Sequence, residues 1–329
     1  MPVTESSAAG FLSRARAVAE PVTLARAGVF MLSLPQIRTF RSAYGRSSGR
    51  KRLIVVRLED ADGVTGWGEA PIAERPLYGA DTAESTWWAL TGLLLPPLLG
   101  ATFAGPARLA ATWADLIGQN WAKNAVETAA WAIASARLGV PLGRLWGGTR
   151  DAVPVGESFP ICDTVDALHA EVAARVAEGF GRIKLKIAPG WDVEPARAMR
   201  EAFPGLPVSV DANCGYAPGD PVFAGLDELG LLMIEQPLAG DALLEMAELQ
   251  QALRTPLCLD ESASSVNTTR TALALSAGRI VNIKPPRLGG IGPALAVHDL
   301  CADQEVPVWC GGMLETGIGR GFKIGRAHV

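Results

Sequence analysis

The second half of the chain alternates short apolar runs with stretches of helical periodicity. This alternation predicts parallel strands joined by crossover helices, which defines an α/β fold. Seven runs are candidate strands: Val153–Ser158, Ile183–Ile187, Val208–Asn213, Leu231–Gln236, Leu257–Glu261, Val281–Lys284 and Val308–Gly311. Because a closed barrel of this type has eight strands, the pattern predicts a TIM-like barrel over residues 151–323 that is one strand short.

The region before residue 151 has a different pattern, in which strands come first and helices follow. The candidate elements are strands Val22–Leu34, Leu53–Leu58 and Val64–Ala70 and helices Thr82–Leu95 and Asn124–Leu138. Turn residues at 60–63 predict that the last two strands form a hairpin, and Gly139 is a typical helix stop. We therefore predict an α+β domain over residues 22–150, with a mobile loop at the Gly- and Ser-rich stretch Phe40–Arg50.

A polar residue lies at the end of five successive apolar runs in the predicted barrel. These residues are Lys186, Asp211, Glu235, Asp260 and Lys284, and they are 24 or 25 residues apart. One strand, one helix and two short loops take roughly that many residues, so each side chain has the same place in its βα unit. We predict that the five side chains surround the carboxyl-terminal mouth of the barrel, which is the catalytic face of this fold.

The residue types at this mouth indicate proton transfer next to a metal ion. Three carboxylates without His or Cys favour Mg²⁺, with Mn²⁺ possible, over zinc. Such an ion could bind a substrate carboxylate and stabilise the enediolate formed when the α-proton leaves. A lysine can be the base if burial and nearby cations, such as Lys184, lower its pKa. The alternative is that the carboxylates are helix N-caps or salt-bridge partners.

Composition restricts the other classes of function. The 329 residues carry a net charge of −4, and the basic run Arg50–Arg52 is too short for a nucleic-acid surface. The five cysteines form no CxxC pair, so unpaired thiols in a reducing, cytoplasmic compartment are expected. No apolar run reaches the roughly 18 residues of a membrane span. Residues 1–21 are expected to be a disordered extension, with a transit peptide as the alternative.

Several motifs resemble the enolase superfamily in its muconate-lactonizing subgroup. They are K-x-K at Lys184 and Lys186, VDAN at 210–213, IEQP at 234–237, DES at 260–262, NIKP at 282–285 and GWGEAP at 66–71. FRSAYG, KLKIAPGWD, KPPRLGG and PVWCGGMLETGIGR are further similar to the o-succinylbenzoate synthase and N-acylamino acid racemase family. The resemblance implies a capping domain over a (β/α)7β barrel, one Mg²⁺, and proton transfer through an enediolate.

The resemblance also implies roles for individual residues. Lys186 and Lys284 would be the acid/base pair, and Asp211, Glu235 and Asp260 the metal ligands. The implied substrate-binding residues are Lys184, Asn213, Ser158, Arg287, Phe40, Tyr44 and Met313. Plain packing is the alternative for the apolar positions, and a surface ion pair is the alternative for Arg287. Pro286 departs from the Gly of the family motif, so the turn that carries Arg287 is expected to differ.

The expected activity is a lyase or isomerase acting on a small-molecule carboxylate, as o-succinylbenzoate synthase in menaquinone biosynthesis, as N-acylamino acid racemase, or as both. A dipeptide epimerase, a lactonizing enzyme, a Schiff-base aldolase and an inactive truncated fragment are the alternatives. A homo-oligomer without nucleic-acid or membrane partners is expected. Residues 324–329 match one reading frame of a sequencing adapter, so a truncated barrel with a non-native tail is expected. A genuine tail is the competing interpretation.

Overall fold

The computed structural model describes residues 20–72 and 75–326, together with positions 10, 15 and 18. Most of the expected extension over residues 1–21 therefore lies outside the described residues, as do the last three residues of the expected tail at 324–329. None of the described helices is both long enough and apolar enough to cross a membrane.

The N-terminal unit is built on an antiparallel sheet. Its strands, with the small hairpin β2–β3 between them, are β1 Val22–Pro35, β2 Arg41–Ser42, β3 Gly45–Arg46, β4 Arg50–Asp60, β5 Thr65–Ala70 and β6 Thr102–Phe103. The strand order in the sheet is β5-β4-β1-β6. The predicted hairpin is present, because β4 pairs with β5 along its length. The hairpin β2–β3 lies within the stretch Phe40–Arg50 that was predicted to be a loop.

Helices cover one face of this sheet. They are α1 Ala83–Trp88, a π-helical segment Ala89–Leu94, short 3₁₀ segments Pro96–Leu98 and Pro106–Trp113, α2 Asn120–Leu138 and α3 Leu142–Leu145. The helix predicted over Thr82–Leu95 is thus α-helical only as far as Trp88. It then widens, with Leu95 N donating to Leu90 O at 3.0 Å, directly before Pro96 and Pro97.

Two glycines of the GWGEAP motif explain how α2 packs on β5. A Cβ atom on Gly66 would lie 2.0 Å from Ala129 O, and one on Gly68 would lie 1.9 Å from Ala125 O. Both clashes are with the backbone of α2, which a side-chain movement cannot relieve. Glycine is therefore required at these positions because helix and strand approach each other backbone to backbone.

The second half of the chain forms a curled, seven-stranded parallel sheet. Its strands are β7 Glu157–Phe159, β8 Ile183–Lys186, β9 Val208–Asp211, β10 Ile234–Glu235, β11 Leu257–Leu259, β12 Ile280–Ile283 and β13 Val308–Cys310. They lie side by side in the same order as in the sequence. The helices that connect or follow them are α4 Val165–Ala177, α5 Val193–Ala202, α6 Val222–Asp227, α7 Leu243–Ala252, α8 Val266–Ala274, α9 Pro285–Leu288, α10 Ile291–Asp303 and α11 Gly317–Arg326. Every strand overlaps one predicted run, so the predicted α/β barrel class is confirmed.

The register of the sheet aligns the polar strand ends. Lys186 pairs with Asp211 across β8 and β9, and Asp211 pairs with Glu235 across β9 and β10. Ile183 and Leu185 are buried in the core between the sheet and its helices. The two lysines of β8, which alternate with them, therefore point to the opposite, inner side of the sheet.

Two carboxylates of the N-terminal unit lie at the amino ends of barrel helices. Glu127 of α2 accepts a hydrogen bond from Gly292 N at 3.0 Å, in the first turn of α10. Glu69 of β5 accepts from Thr316 N and Gly319 N, each at 3.0 Å, where α11 begins. Helix amino ends have unpaired N–H groups and a partial positive charge, so both carboxylates stabilise the contact between the two units.

Candidate active site

The five side chains predicted to gather at the barrel mouth do so. Asp211, Glu235 and Asp260 are completely buried, on or directly after three neighbouring strands. Lys186 ends β8 on one side of them, and Lys284 follows β12 on the other side. The lysines are therefore separated by the row of carboxylates, as the order of the strands predicts.

Lysines and carboxylates form one connected ion-pair network. Lys184 Nζ bridges Asp211 Oδ2 and Glu235 Oε2, at 2.7 Å from each. Lys186 Nζ lies 2.7 Å from Asp211 Oδ2, and Lys284 Nζ lies 2.6 Å from Asp260 Oδ2. The N-caps of the following helices α6, α7 and α8 are Pro221, Ala242 and Ser265. The N-cap alternative for the three carboxylates is therefore wrong, whereas the salt-bridge alternative describes real contacts.

The buried charges shift one another in opposite directions. Burial raises the pKa of Asp211, but the charges of Lys184 and Lys186 lower it by more. The net result is a pKa of about 2. Burial and the neighbouring Asp211 raise the pKa of Glu235 to about 7. Burial lowers the pKa of Lys284, yet Asp260 and other neighbours hold it well above its usual value. For Lys284 this is opposite to the lowered pKa expected of a lysine base, because its carboxylate partner outweighs burial.

The donor set fits a hard divalent cation. Within the described part of the chain, no three His, Cys, Asp or Glu side chains are arranged so that they hold an ion as they stand. Lys184 Nζ, however, occupies a cation position between Asp211 and Glu235. The three fully buried carboxylates offer only oxygen donors, and oxygen-only ligation suits Mg²⁺ or Mn²⁺.

Arg287 is buried beside Lys284, so its surface ion-pair alternative is wrong. Its guanidinium donates to Asp260 Oδ1, and Nε donates to Ala263 O at 2.8 Å. Nη1 also donates to Tyr78 Oη at 3.2 Å. Pro286 lies in the first turn of α9, where the missing N–H is not needed.

Three other predicted substrate-binding residues, Ser158, Lys184 and Asn213, lie on the Lys186 side. Ser158 of β7 pairs in register with Lys184. Its buried Oγ has no hydrogen-bond partner among the described residues, which suits an incoming ligand. Asn213 Oδ1 accepts from Lys186 Nζ at 2.7 Å. Asn213 has a left-handed backbone, with φ of 44°, a conformation that asparagine tolerates better than most residues.

The stretch Phe40–Arg50 lies over the same side. The Phe40 ring centroid is 5.9 Å from Lys186 Nζ, and Tyr44 Oη donates to Glu261 Oε1 at 2.6 Å. Met313, by contrast, packs against the apolar core of the N-terminal unit, as its packing alternative describes. The structure thus brings Phe40 and Tyr44 to the mouth and places Met313 in an interface between the two units.

Four residues of the site had no role in the sequence prediction. Tyr78 Oη donates to Asp260 Oδ1 at 2.7 Å, and Asn282 Nδ2 donates to Glu235 Oε1 at 2.6 Å. The Trp309 ring centroid lies 4.7 Å from Lys184 Nζ, and Glu261 accepts from Tyr44. Asn282 could have been found, since it shares the inward face of β12 with Lys284. Tyr78 lies in a loop of the other unit, where no periodicity marks it.

Comparisons with known proteins agree with the two-part fold. The family model "Mandelate racemase / muconate lactonizing enzyme, N-terminal domain" matches residues 26–147, and "Enolase C-terminal domain-like" matches residues 167–324. The chain is 47% identical over 275 residues to an o-succinylbenzoate synthase of Geobacillus kaustophilus, covering 83% of this chain and 73% of that protein. It is 41% identical over 303 residues to an N-succinylamino acid racemase of Amycolatopsis sp, covering 91% and 81%.

Among solved structures, an enolase-superfamily member from Enterococcus faecalis V583 superposes with a TM-score of 0.87 at 36% identity. That superposition covers 94% of this chain and 84% of the other. The two family models together cover both halves of the chain. The chain is an enzyme of the enolase superfamily, with the two domain types of the mandelate racemase and muconate lactonizing group.

Proposed function

We propose that this enzyme removes the α-proton of a small-molecule carboxylate substrate through an enediolate. The reaction would be that of an o-succinylbenzoate synthase, an N-acylamino acid racemase, or both. The observation that supports this most directly is the position of Lys186 and Lys284 on opposite sides of a buried carboxylate row. Relatives that carry each of the two names are more than 40% identical to the chain.

Asp211, Glu235 and Asp260 would hold the divalent cation, as Mg²⁺ or Mn²⁺. Members of the superfamily generally depend on such an ion. When bound, it would polarise the substrate carboxylate and stabilise the charge of the enediolate. If Asp260 bound the ion, it would hold the Lys284 ammonium less strongly, and the pKa of Lys284 would fall, as a lysine base requires.

The two lysines would then serve opposite faces of the α-carbon. In racemisation, one lysine takes the α-proton and the other returns a proton to the opposite face. In the synthase reaction, Lys186 would take the α-proton and give it to the departing hydroxide, which leaves as water, and the Lys284 ammonium would act electrostatically. Ser158, Lys184 and Asn213 would orient the substrate carboxylate, and Phe40 and Tyr44 would cover it.

The remaining assignments follow from this chemistry. Residues 22–150 would form the capping domain and residues 151–323 the catalytic barrel. All five cysteines are unpaired in the structure, which supports a reducing, cytoplasmic environment. We expect a homo-oligomer without a nucleic-acid partner. A dipeptide epimerase or a lactonizing enzyme of the same group is the second candidate, since each also needs an enediolate at a metal site.

The test follows the α-proton by NMR in D₂O with Mg²⁺ and each enantiomer of an N-succinyl amino acid. We expect exchange in both enantiomers, and its loss with EDTA. Lys186→Ala and Lys284→Ala should each abolish exchange of one enantiomer. If a dipeptide exchanges and the N-succinyl amino acid does not, the second candidate is correct. Activity that resists EDTA, together with a covalent adduct of enzyme and substrate that borohydride traps, would instead indicate a Schiff-base enzyme.

A further inference from the structure

Glu261 has no part in the chemistry described above, although it lies beside Asp260 at the mouth. Its Oε1 accepts a hydrogen bond from Tyr44 Oη at 2.6 Å and another from Asn213 Nδ2 at 3.2 Å. Its Oε2 is buried and has no hydrogen-bond partner in the part of the chain that the structure describes. One carboxylate oxygen thus joins the N-terminal unit to the barrel.

Asn213 extends this connection to a lysine of the site. Its Oδ1 accepts from Lys186 Nζ, and its backbone N donates to Asp211 Oδ1 at 3.1 Å. Asn213 and Cys214 both have positive φ, of 44° and 59°, so the turn after β9 is strained and its geometry is imposed by its surroundings. The Asn213 amide therefore lies between Glu261 on one side and Lys186 on the other.

The hairpin β2–β3 is docked on the loops around this amide. Arg41 O accepts from Ile161 N at 2.9 Å. A Cβ atom on Gly215 would lie 3.0 Å from Ala43 Cβ, so the hairpin meets the turn after β9 closely. The bond from Tyr44 to Glu261 joins this docked hairpin to the row of site residues.

We propose that Glu261 is a positioning residue that ties the hairpin β2–β3 to the Asn213 amide and thereby orients Lys186. Because Oε1 accepts both bonds, displacement of Tyr44 and rotation of the Asn213 amide are coupled. The Lys186 side of the site is then aligned only while the hairpin is docked. This inference rests on the proposed function of Lys186 as one of the two proton-transferring groups.

The first test does not depend on activity. Tyr44→Phe removes only the donor, and Glu261→Gln replaces the acceptor carboxyl group with an amide of the same shape. Trypsin cleavage after the exposed Arg46 of the hairpin measures undocking. We expect cleavage up to about tenfold faster in Tyr44→Phe, which loses one hydrogen bond, and a smaller increase in Glu261→Gln, which keeps an acceptor oxygen. Tyr216→Phe, which removes a hydroxyl bonded to Asp192 at 3.2 Å outside the hairpin, is the matched control and should leave the rate unchanged.

The second test measures α-proton exchange of each enantiomer. The enantiomer whose exchange is lost in Lys186→Ala defines the Lys186 face. Tyr44→Phe should slow exchange at that face up to about tenfold, Glu261→Gln should slow it less, and both should affect the other face less. The double variant should be no slower than the slower single variant, because both changes break one connection.

Equal slowing of both enantiomers, additive effects in the double variant, or unchanged trypsin cleavage would each overturn the inference. A purely structural role for Glu261 would affect both faces alike. Absence of exchange in the unaltered enzyme would contradict the proposed function instead. The trypsin comparison would then still decide whether Glu261 holds the hairpin.

Discussion

The two lysines of the site have contrasting surroundings. Lys186 is paired with one carboxylate and one amide, and it is covered by a hairpin from the other unit. Lys284 is buried and contacts Asp260, with the Tyr78 ring centroid at 4.7 Å and the Arg287 guanidinium on the same carboxylate. The Lys186 side thus depends on a docked loop, whereas the Lys284 side depends on a compact charge cluster. Proton transfer at the two faces should therefore respond to different mutations.

Removing the charge at the centre of the Lys284 cluster should have the largest effect. Asp260→Asn leaves two buried cations, Lys284 and Arg287, without their shared carboxylate. We expect a loss of about 3–5 kcal/mol in the free energy of unfolding, the usual result of breaking a buried ion pair. Chemical denaturation measures this, and Asp241→Asn at an exposed aspartate is the control. An Asp260→Asn variant as stable as the unaltered enzyme would show that this charge cluster does not stabilise the Lys284 side of the site.

Metal binding should stabilise the carboxylate row from which both sides are built. At a concentration about 100 times its dissociation constant, Mg²⁺ should add about 2.7 kcal/mol to the free energy of unfolding. The gain should disappear in Asp211→Asn and in EDTA. A thermal melt with and without Mg²⁺ measures it. An equal shift in the Asp211→Asn variant would place the ion elsewhere.

Gly311→Ala should disturb the Lys284 side selectively. The added Cβ would lie 2.5 Å from Asn282 Oδ1 and 2.7 Å from Lys284 Cε. Overpacking of this kind costs about 1–3 kcal/mol, and here the lysine has to move. We expect slower exchange of the enantiomer that depends on Lys284. Gly205→Ala, where a Cβ would meet nothing within 4 Å, is the matched control. Equal slowing at both faces would contradict this assignment.

Tyr78→Phe should have the smallest effect of these variants. Like Gly311→Ala, it should slow exchange at the Lys284 face. The variant loses the donor to Asp260 and the acceptor of the Arg287 bond, but it keeps the ring over Lys284. Exchange at the Lys284 face should slow about tenfold, which corresponds to a net loss of about 1.4 kcal/mol for the two hydrogen bonds. The mirror variant Tyr44→Phe should act on the Lys186 face. If the two tyrosines affect the same face, the contrast between the sides is wrong.

The strand pattern made the barrel and its charged mouth predictable, for a physical reason. Parallel strands bring their carboxyl ends to one edge, so a repeat of 24 or 25 residues in sequence becomes a cluster in space. Contacts across the two units have no such repeat, which is why Tyr78 was missed. The pKa of Lys284 could not be predicted either, because its direction depends on how closely Asp260 approaches rather than on residue type.

The carboxylates of Glu69 and Glu127 at the amino ends of α11 and α10 have a consequence for engineering this enzyme. A chimaera that exchanges the N-terminal unit for that of a relative has to keep an acidic side chain at both positions. Otherwise the amino ends of two barrel helices both lose their hydrogen-bond acceptors. The loss would occur where the exchanged unit contacts the barrel. These two glutamates and the helix ends that they contact should therefore be transferred as one set.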